Sequence, residues 1–543
     1  MKYGNPRHRV TTRPPRESDH PVAEEITDPD LLEAILHDAA QYPGGNASLL
    51  IQPRSEADLA QIVRRYPRML PIGSQSSLTG GATPMGEVVV SMAQMASVLE
   101  SGRETVRVQA GIALRTLQEL LASRGTYYPP VPSYDGATIG GAIATNAAGP
   151  ATFKYGSTRS WVQAITVVLA SGEVVDLERG QCIAHPLGYF EIESSTGIQR
   201  VPVPTYRVPE VPKTSAGYYA TPGMDLVDLF IGAEGTLGIV TEATLRVVTP
   251  APAICIALVP CTSEEQALSL TRKLREQSLE TRRTQNAQGL DVSAIEYLDA
   301  RSLQIVHEDG SDRRNSITIQ PATQALLLVQ IELPPAYVDR AYDDLAAALE
   351  PDAPDAPLVH LVRLLDAADV LEETELVMPG DHSRAEQVYA IRESVPVGVN
   401  ERVTRSKRLV HPDITKVAAD MIVPFARLGD MMQLFREAFT KRGLDYAIWG
   451  HISDGNMHPN LIPHSLEDVK AAQEVVLECG RIITSWGGSP LAEHGVGRNA
   501  VKQTLLRQLY GEEGYRQMRA VKQALDPEWK LSPGTLFSST VFV

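Results

Sequence analysis

No Cys-x-x-Cys pair occurs in the 543 residues; the four cysteines, Cys182, Cys255, Cys261 and Cys479, are scattered. Such spacing excludes an iron–sulfur cluster ligated by this chain and offers no disulfide framework, so the reducing cytoplasm is the expected location. No run of about 18 apolar residues exists, which leaves no candidate transmembrane helix. Residues 1–21 are rich in Pro and Arg but lack an apolar stretch, so no secretory signal is expected there. Positive charge is also in short supply. A net charge of −16 argues against a nucleic-acid partner and against an anionic membrane surface. Internal repeats and long low-complexity segments are absent as well.

What is present reads as a soluble globular protein, with 43% hydrophobic and 21% charged residues over a length that suggests two large domains. Residues 1–25 read as a flexible tail. Ala47 to Pro53 is an expected strand, and Ser55 caps a helix from Glu56 to Tyr66 with Leu59, Ile62 and Val63 on one face. The strand Met69 to Ile72 runs into Gly73-Ser74-Gln75-Ser76-Ser77-Leu78-Thr79-Gly80-Gly81. Such a loop gathers backbone N–H groups into an anion-binding nest, although it is neither a P-loop nor a Gly-x-Gly-x-x-Gly turn. Strands at Val88 to Met92 and Thr105 to Ala110, a helix from Ala113 to Arg124 and a hairpin from Ala164 to Val175 follow. Between them, Ala137 to Gly149 contains nothing larger than Ile or Asn; it suits either tight helix packing or backbone lying against a flat ligand. After a polar, Pro-rich insertion at about 177–212, Leu229 to Val240 is a third glycine-laden segment.

Thr249-Pro250-Ala251-Pro252 marks a domain boundary. Strands at Ile254 to Val259, Val292 to Leu298, Ala325 to Leu333 and Leu358 to Leu365, with helices Ser263 to Gln277 and Val338 to Leu349, give a β-α-β-β-α-β order. That is the ferredoxin-like arrangement. Helices from about Ser383 to Val403 and Leu466 to Ser485 complete this half, and an extended tail follows Asp526-Pro527.

Chemistry-bearing residues concentrate in Trp449 to Asn460, where Asp454-Gly455 forms a turn. His451 and His458 are therefore expected on neighbouring strands, able to converge. Glu493-His494-Gly495-Val496-Gly497 adds an acid and another imidazole. Two His and a carboxylate form a common divalent-metal ligand set, while a turn with incidental histidines is the plain alternative.

Three glycine-rich segments followed by these two motifs, in this order, resemble the FAD-linked oxidases of the vanillyl-alcohol oxidase superfamily. The D-lactate, glycolate and D-2-hydroxyglutarate dehydrogenase branch is the most similar, over about residues 45–540. The resemblance implies an α+β fold: a two-subdomain PCMH-type FAD-binding domain over 26–250, and a ferredoxin-like antiparallel-sheet substrate (cap) domain over 251–500. Residues 501–543 would pack back toward the FAD domain. Pro71, Gly73, Ser74, Gln75, Ser76, Ser77, Leu78, Thr79 and Gly80 would line the flavin pyrophosphate. Thr138, Gly140, Gly141, Thr145, Asn146 and Gly149 match the small-residue segment, with Tyr155-Gly156 beyond it. Glu234, Gly235, Gly238, Ile239 and Val240 match the third segment. His451, His458 and Glu493 would hold a divalent metal, zinc first, with manganese or iron as alternatives. His494 would be the base, Asn460 a substrate contact and Arg392 the cation for a substrate carboxylate, while Lys416, four residues before Asp420, matches the family's Lys-x-x-x-Asp-x-x-x-Pro pattern among the catalytic residues.

This constellation implies oxidation of a D-2-hydroxy acid, lactate-like ahead of 2-hydroxyglutarate. Arg suits the carboxylate, a metal acidifies the C2 hydroxyl, an imidazole takes the proton, and hydride passes to flavin N5. A quinone, cytochrome or flavoprotein would then accept the electrons, and a homodimer stays open. Two alternatives keep the fold: an alkyl-glycerone-phosphate-synthase-like transferase or phenol oxidase, and a non-catalytic flavin-binding subunit of a larger complex. Ser74 and Gln75 stand where the family has glycines, Ser453 where Gly is common, Ala500 where a Lys is frequent, and Ser532 where Asn is usual.

Overall fold

The computed structural model describes residues 7–17 and 23–538, and the chain divides into two compact units. The first comprises residues up to Gly149, Gly156–Ala251 and the chain from Ser489 onward; the second comprises Pro150–Tyr155 and Pro252–Gly488.

Two main sheets build the first unit. In one, Leu50–Gln52, Val88–Ser91 and Met69–Ile72 run parallel, with Glu24–Ile26 antiparallel at the edge. The other is a five-stranded antiparallel sheet in the order Val98–Ser101, Thr105–Gln109, Ile239–Arg246, Val162–Val168, Val174–Glu178. The helix Glu56–Arg65 starts with a capping box, in which Ser55 accepts from the Asp58 N–H and Asp58 accepts from the Ser55 N–H. Its apolar face, Leu59, Ile62 and Val63, joins Ile51, Met69, Val90, Val168 and Ile239 in one core. The end of the chain closes that core: Leu531 is fully buried in it, the Met69 N–H donates to the Lys530 carbonyl, and the Ser532 N–H donates to the Met69 carbonyl.

The expected flexible tail is corrected for the residues described; 1–6 and 18–22 lie outside them. Arg9–Thr11 pairs in parallel with Tyr189–Ser194, one strand of a hairpin supplied by the 177–212 insertion. The Arg13 guanidinium donates to both carboxylate oxygens of Glu56, at 2.6 and 2.8 Å, and also to Asp176. Composition marked the stretch as flexible because its partners lie some 160 residues away in sequence, as the Arg13–Asp176 separation of 163 shows.

The second unit carries a large sheet in the order Glu375–Val377, Ala253–Cys261, Ala325–Leu333, Val292–Asp299, Tyr446–His451, Asn456–Leu461, Val417–Ala418. Its first four strands give the ferredoxin-like arrangement, with one correction. Leu358 to Leu365, expected as a strand, lies in the helix Pro357–Asp366, and the fourth strand is Glu375–Val377. Pro357 starts the helix, and Leu358, Leu361, Val362 and Leu365 recur at helical spacing on its buried side. Beyond the ferredoxin-like core, the hairpin of Tyr446–His451 and Asn456–Leu461 extends the sheet, turning at Asp454-Gly455 with Gly455 at φ +86°. Among the described residues no helix is long and apolar enough to cross a membrane.

One buried ion pair fixes the C-terminal helix of the first unit. Lys522 Nζ donates to Asp526 Oδ2 at 2.6 Å, to the Thr236 carbonyl at 2.6 Å and to the Leu531 carbonyl at 2.9 Å. Both side chains are almost wholly buried. Truncating one partner strands the other charge, so Lys522→Met is expected to cost about 3–5 kcal/mol, read as a lowered urea midpoint.

Candidate functional site

In the second unit the site is set by strand register. Glu296 on Val292–Asp299 lies directly opposite His451, Trp449 lies opposite His458, Ala447 opposite Asn460, and Ala418 opposite Asn460 from the far side. Side chains opposite one another share a face, and so do residues two apart. Glu296, His451, His458 and Asn460 therefore stand on one face. Asp420 continues that parity, as does Lys416 just before Val417–Ala418. Gly450 sits between the ligand-bearing positions because a Cβ there would lie 2.6 Å from the Asn456 carbonyl oxygen.

Each imidazole has a carboxylate at Nδ1. His451 Nδ1 bonds Glu296, and Asp420 Oδ1 lies 3.4 Å from His458 Nδ1. All four side chains are buried, with the two rings edge to face at 5.3 Å between centroids. The carboxylate behind the His451 ring holds the proton on Nδ1 and presents the Nε2 lone pair, the arrangement metal-binding histidines use. The residues fit a divalent metal on that ground. Burial alone would raise the Glu296 carboxyl, but His451 and Arg392 beside it outweigh this and hold it down at about 2.

Two cations complete this unit's contribution. Arg392, on the helix His382–Leu409, donates from Nε to Glu296 Oε2 at 2.8 Å, and its Nη atoms take no protein partner among the described residues. Its side chain is only 11% exposed. Lys416 makes no hydrogen bond or ion pair among the described residues, and burial lowers its ammonium to about 8. Asn460 is buried and donates to the His458 carbonyl at 2.9 Å.

Glu493 and His494 belong to the first unit. Glu493 Oε2 is paired at 2.8 Å with Lys213, whose side chain is wholly buried, and His494 Nε2 lies 3.6 Å from Glu493 Oε1. The following backbone is clamped: the N–H groups of Val496 and Gly497 donate at 2.8 Å to the two oxygens of Glu234, and the Gly495 N–H donates to Ser215. Burial pushes the Glu234 carboxyl up to about 7, although those N–H groups pull it down. Glu234 was expected at the cofactor; its carboxylate is engaged by this clamp.

The three glycine segments converge in the first unit. Thr138 caps the helix Ile139–Thr145, and a Cβ on Gly73 would strike its hydroxyl at 2.2 Å. The third segment joins through Gly232 N–H to the Ile143 carbonyl and Glu234 N–H to the Ala144 carbonyl. Gly235 approaches Pro71 and Ser532, and Gly497 meets Thr79. Several of these glycines thus serve protein packing: Cβ atoms at Gly140, Gly149 and Gly238 would strike Ala110, Val131 and Val167. Ile139, Ala142 and Ile143 bury one side of the helix, and Gly140, Gly141, Ala144 and Thr145 leave a partly open face of small residues. Ser74, Gln75, Ser76, Ser77 and Leu78 are likewise partly or fully open to solvent. A flat, phosphate-bearing cofactor fits such surfaces. Gln75 keeps a left-handed φ of +53°, braced by its Nε2 donating to the Ile35 and Ala82 carbonyls at 2.8 Å.

Asn146 ends the helix in the left-handed region; its side chain donates to the Thr214 carbonyl and accepts from the Arg159 N–H. Ile239 and Val240 are strand residues paired with Val168 and Val167. Tyr155 is the one residue of the expected cofactor set outside the first unit. It lies in the second unit, where its hydroxyl donates to Glu332 at 2.7 Å beside Lys154, which is held by Asp291 and Glu332. Sequence reasoning missed Lys213 and Glu296. A lone carboxylate inside the apolar run Val292 to Leu298 was the available signal for Glu296; nothing in the Pro-rich stretch before Lys213 marked it.

Two family models match the chain. Residues 252–536 match the family model described as FAD linked oxidases, C-terminal domain, and residues 47–178 match FAD binding domain. The chain is 26% identical to glycolate oxidase subunit GlcD of Bacillus subtilis, covering 92% of this chain and 91% of that protein. It is 26% identical to a D-lactate dehydrogenase of Anaerostipes hadrus, covering 93% of each, and 27% identical to a D-2-hydroxyglutarate dehydrogenase of Xanthomonas citri pv. viticola, covering 94% of each. Among solved structures, an alkyldihydroxyacetonephosphate synthase shares the fold, with a TM-score of 0.59 at 16% identity over 94% of this chain and 82% of that one.

The Glu234 clamp predicts a local effect. With Glu234→Ala the Val496 and Gly497 amides lose their acceptor, and their hydrogen exchange is expected to speed up by roughly tenfold to a hundredfold, read by mass spectrometry on peptides covering 490–500.

Proposed function

Because the chain belongs to the FAD-linked oxidases, we propose that it oxidises a D-2-hydroxy acid to the 2-oxo acid, with lactate-like acids ahead of 2-hydroxyglutarate. The supporting observation is the pair of cations with unspent capacity on the histidine-bearing side of the second unit. Arg392 has its Nη pair without a protein partner, and Lys416 has no partner among the described residues. Burying a cation without a counter-charge is costly, so the arrangement suits an anionic ligand. A guanidinium with Nε anchored offers its Nη end to a carboxylate bidentately. The names borne by the relatives, glycolate, D-lactate and D-2-hydroxyglutarate enzymes, support the same substrate class.

In this reading His451, His458 and Glu493 hold a divalent metal, zinc first, and the open small-residue face receives the flavin. When bound, FAD supplies the hydride acceptor and the metal supplies Lewis acidity. The chain's own residues do the rest. Arg392 and Lys416 fix the substrate carboxylate, Asn460 orients the acid, and His494 takes the proton from the C2 hydroxyl. No protein nucleophile is needed. The electrons then pass to a quinone, cytochrome or flavoprotein.

An anaerobic visible spectrum titrated with D-lactate, L-lactate, D-2-hydroxyglutarate and glycolate tests the reading. Flavin bands that bleach with a D-acid, and cease to after chelation, are expected; yellow protein that no hydroxy acid bleaches would sink the substrate assignment.

The two cations give separable kinetics. Arg392→Met is expected to raise KM for the acid by about a hundredfold or more, since it also takes from buried Glu296 one of its two partners. Lys416→Met is expected to raise KM by about tenfold to a hundredfold with a smaller change in kcat. Lys416 is charged below about pH 8 and neutral above it. Carboxylate binding therefore weakens as pH rises through that value, and kcat/KM, which reports the free enzyme, falls there. That limb of the pH profile should be absent in Lys416→Met.

A further inference from the structure

We infer that Glu296 is a positioning residue that ties the substrate-carboxylate clamp to the metal-binding imidazole; the inference rests on the reading proposed above. The Glu296 side chain is 3% exposed and stands between Ile295 and Tyr297 in a strand buried from Val292 to Leu298. Each of its oxygens holds a different functional group: Oε2 accepts from Arg392 Nε at 2.8 Å, and Oε1 takes His451 Nδ1. Arg392 comes from the long helix His382–Leu409 and His451 from the end of its own strand, so this one carboxylate joins groups from three elements.

The two contacts constrain orientation in complementary ways. Anchoring Nε turns the Nη1–Nη2 end of the guanidinium outward, the end suited to a bidentate carboxylate. Bonding Nδ1 selects the tautomer whose Nε2 lone pair can ligate a metal. The arrangement also couples the two ligands. A cation on Nε2 makes the Nδ1–H more acidic and draws the carboxylate charge toward His451, which frees the guanidinium's positive charge for the substrate. Metal and hydroxy acid therefore strengthen each other's binding, and by linkage the effect is reciprocal. A carboxylate with a merely structural role would couple nothing.

The test uses the full-length, FAD-loaded protein. Glu296→Gln keeps the side chain's size and removes its charge. Zinc affinity by chelator competition is expected to fall about tenfold to a hundredfold. KM for D-lactate at saturating zinc is expected to rise about tenfold, with flavin stoichiometry and Tm near those of the parent. A variant with lowered Tm but parental zinc affinity and KM overturns the inference. A second readout needs no variant: selective ¹⁵N-histidine spectra of the metal-free parent should show His451 protonated at Nδ1, and an unprotonated Nδ1 overturns the inference. Parent protein that takes up no zinc and is bleached by no hydroxy acid overturns the proposed function and this inference together, an outcome visible in the parent alone.

Discussion

Everything the second unit offers chemically depends on the antiparallel register of Tyr446–His451 against Asn456–Leu461. Side chains alternate along a strand, so a one-residue slip would send His458 and Asn460 to the opposite face from His451. The register is held from both sides. The turn at Asp454-Gly455 fixes the hairpin, with the Asn456 N–H donating to Asp454 Oδ1 at 3.0 Å. From the flank, Asn456 Nδ2 donates to Asp420 Oδ1 and to the Met421 carbonyl, both at 3.0 Å, tying the hairpin to the neighbouring segment that carries Asp420. The close approach at Gly450 adds a steric lock, because any side chain there would push the two strands apart. The hydrogen bonds that these buried groups make specify one pairing over its neighbours.

In the first unit the corresponding constraint is backbone lying on backbone. A stretch without large side chains invites two readings, helix packing or a ligand surface, and the helix has one buried side and one left partly open. Ile139, Ala142 and Ile143 point into the protein, while Gly140, Gly141, Ala144 and Thr145 are left partly open. Gly73, Gly238 and Gly497 are glycines because another part of the chain passes too close for a Cβ. The segments are thereby packed into one scaffold, on which any cofactor surface is a remainder. Gln75 illustrates the same economy of space: a residue without glycine's freedom holds the left-handed conformation because two carbonyls accept from its amide.

Much of this was legible in the residues. Local signals are local physics, so the Ser55 cap, the strand Met69–Ile72, the turn at Asp454-Gly455 and the small-residue run were readable where they stand. Leu358 to Leu365 was not, because a short apolar run fits a strand or a buried helix equally well, and Pro357 decided it. The N-terminal strand was illegible for another reason: Arg9–Thr11 has no intrinsic preference strong enough to show and acquires its structure from Tyr189–Ser194. The candidate site divides the same way. Its histidines stand in two dense motifs, whereas Lys213 and Glu296 are single residues whose partners, Glu493 and His451, lie 280 and 155 positions away.

The distribution of charge gives the last step. A chain with a net charge of −16 has carboxylates to spare, and most of its enclosed cations are matched: Arg13 with Glu56, Arg159 with Asp228, Lys213 with Glu493, Lys522 with Asp526. Lys416 departs from that pattern, and Arg392 departs by half. Folding alone gives no reason to leave an ammonium lowered to about 8 without a counter-charge, since a carboxylate nearby or an apolar residue in its place would stabilise the protein. The proposed reading accounts for the unmet cost, since there the charge arrives from outside with the substrate. Because Glu296 engages only Nε of Arg392, it orients the guanidinium without consuming the edge that would meet that charge. A carboxylate on the Nη edge would have neutralised the clamp; placed on Nε, it aims it.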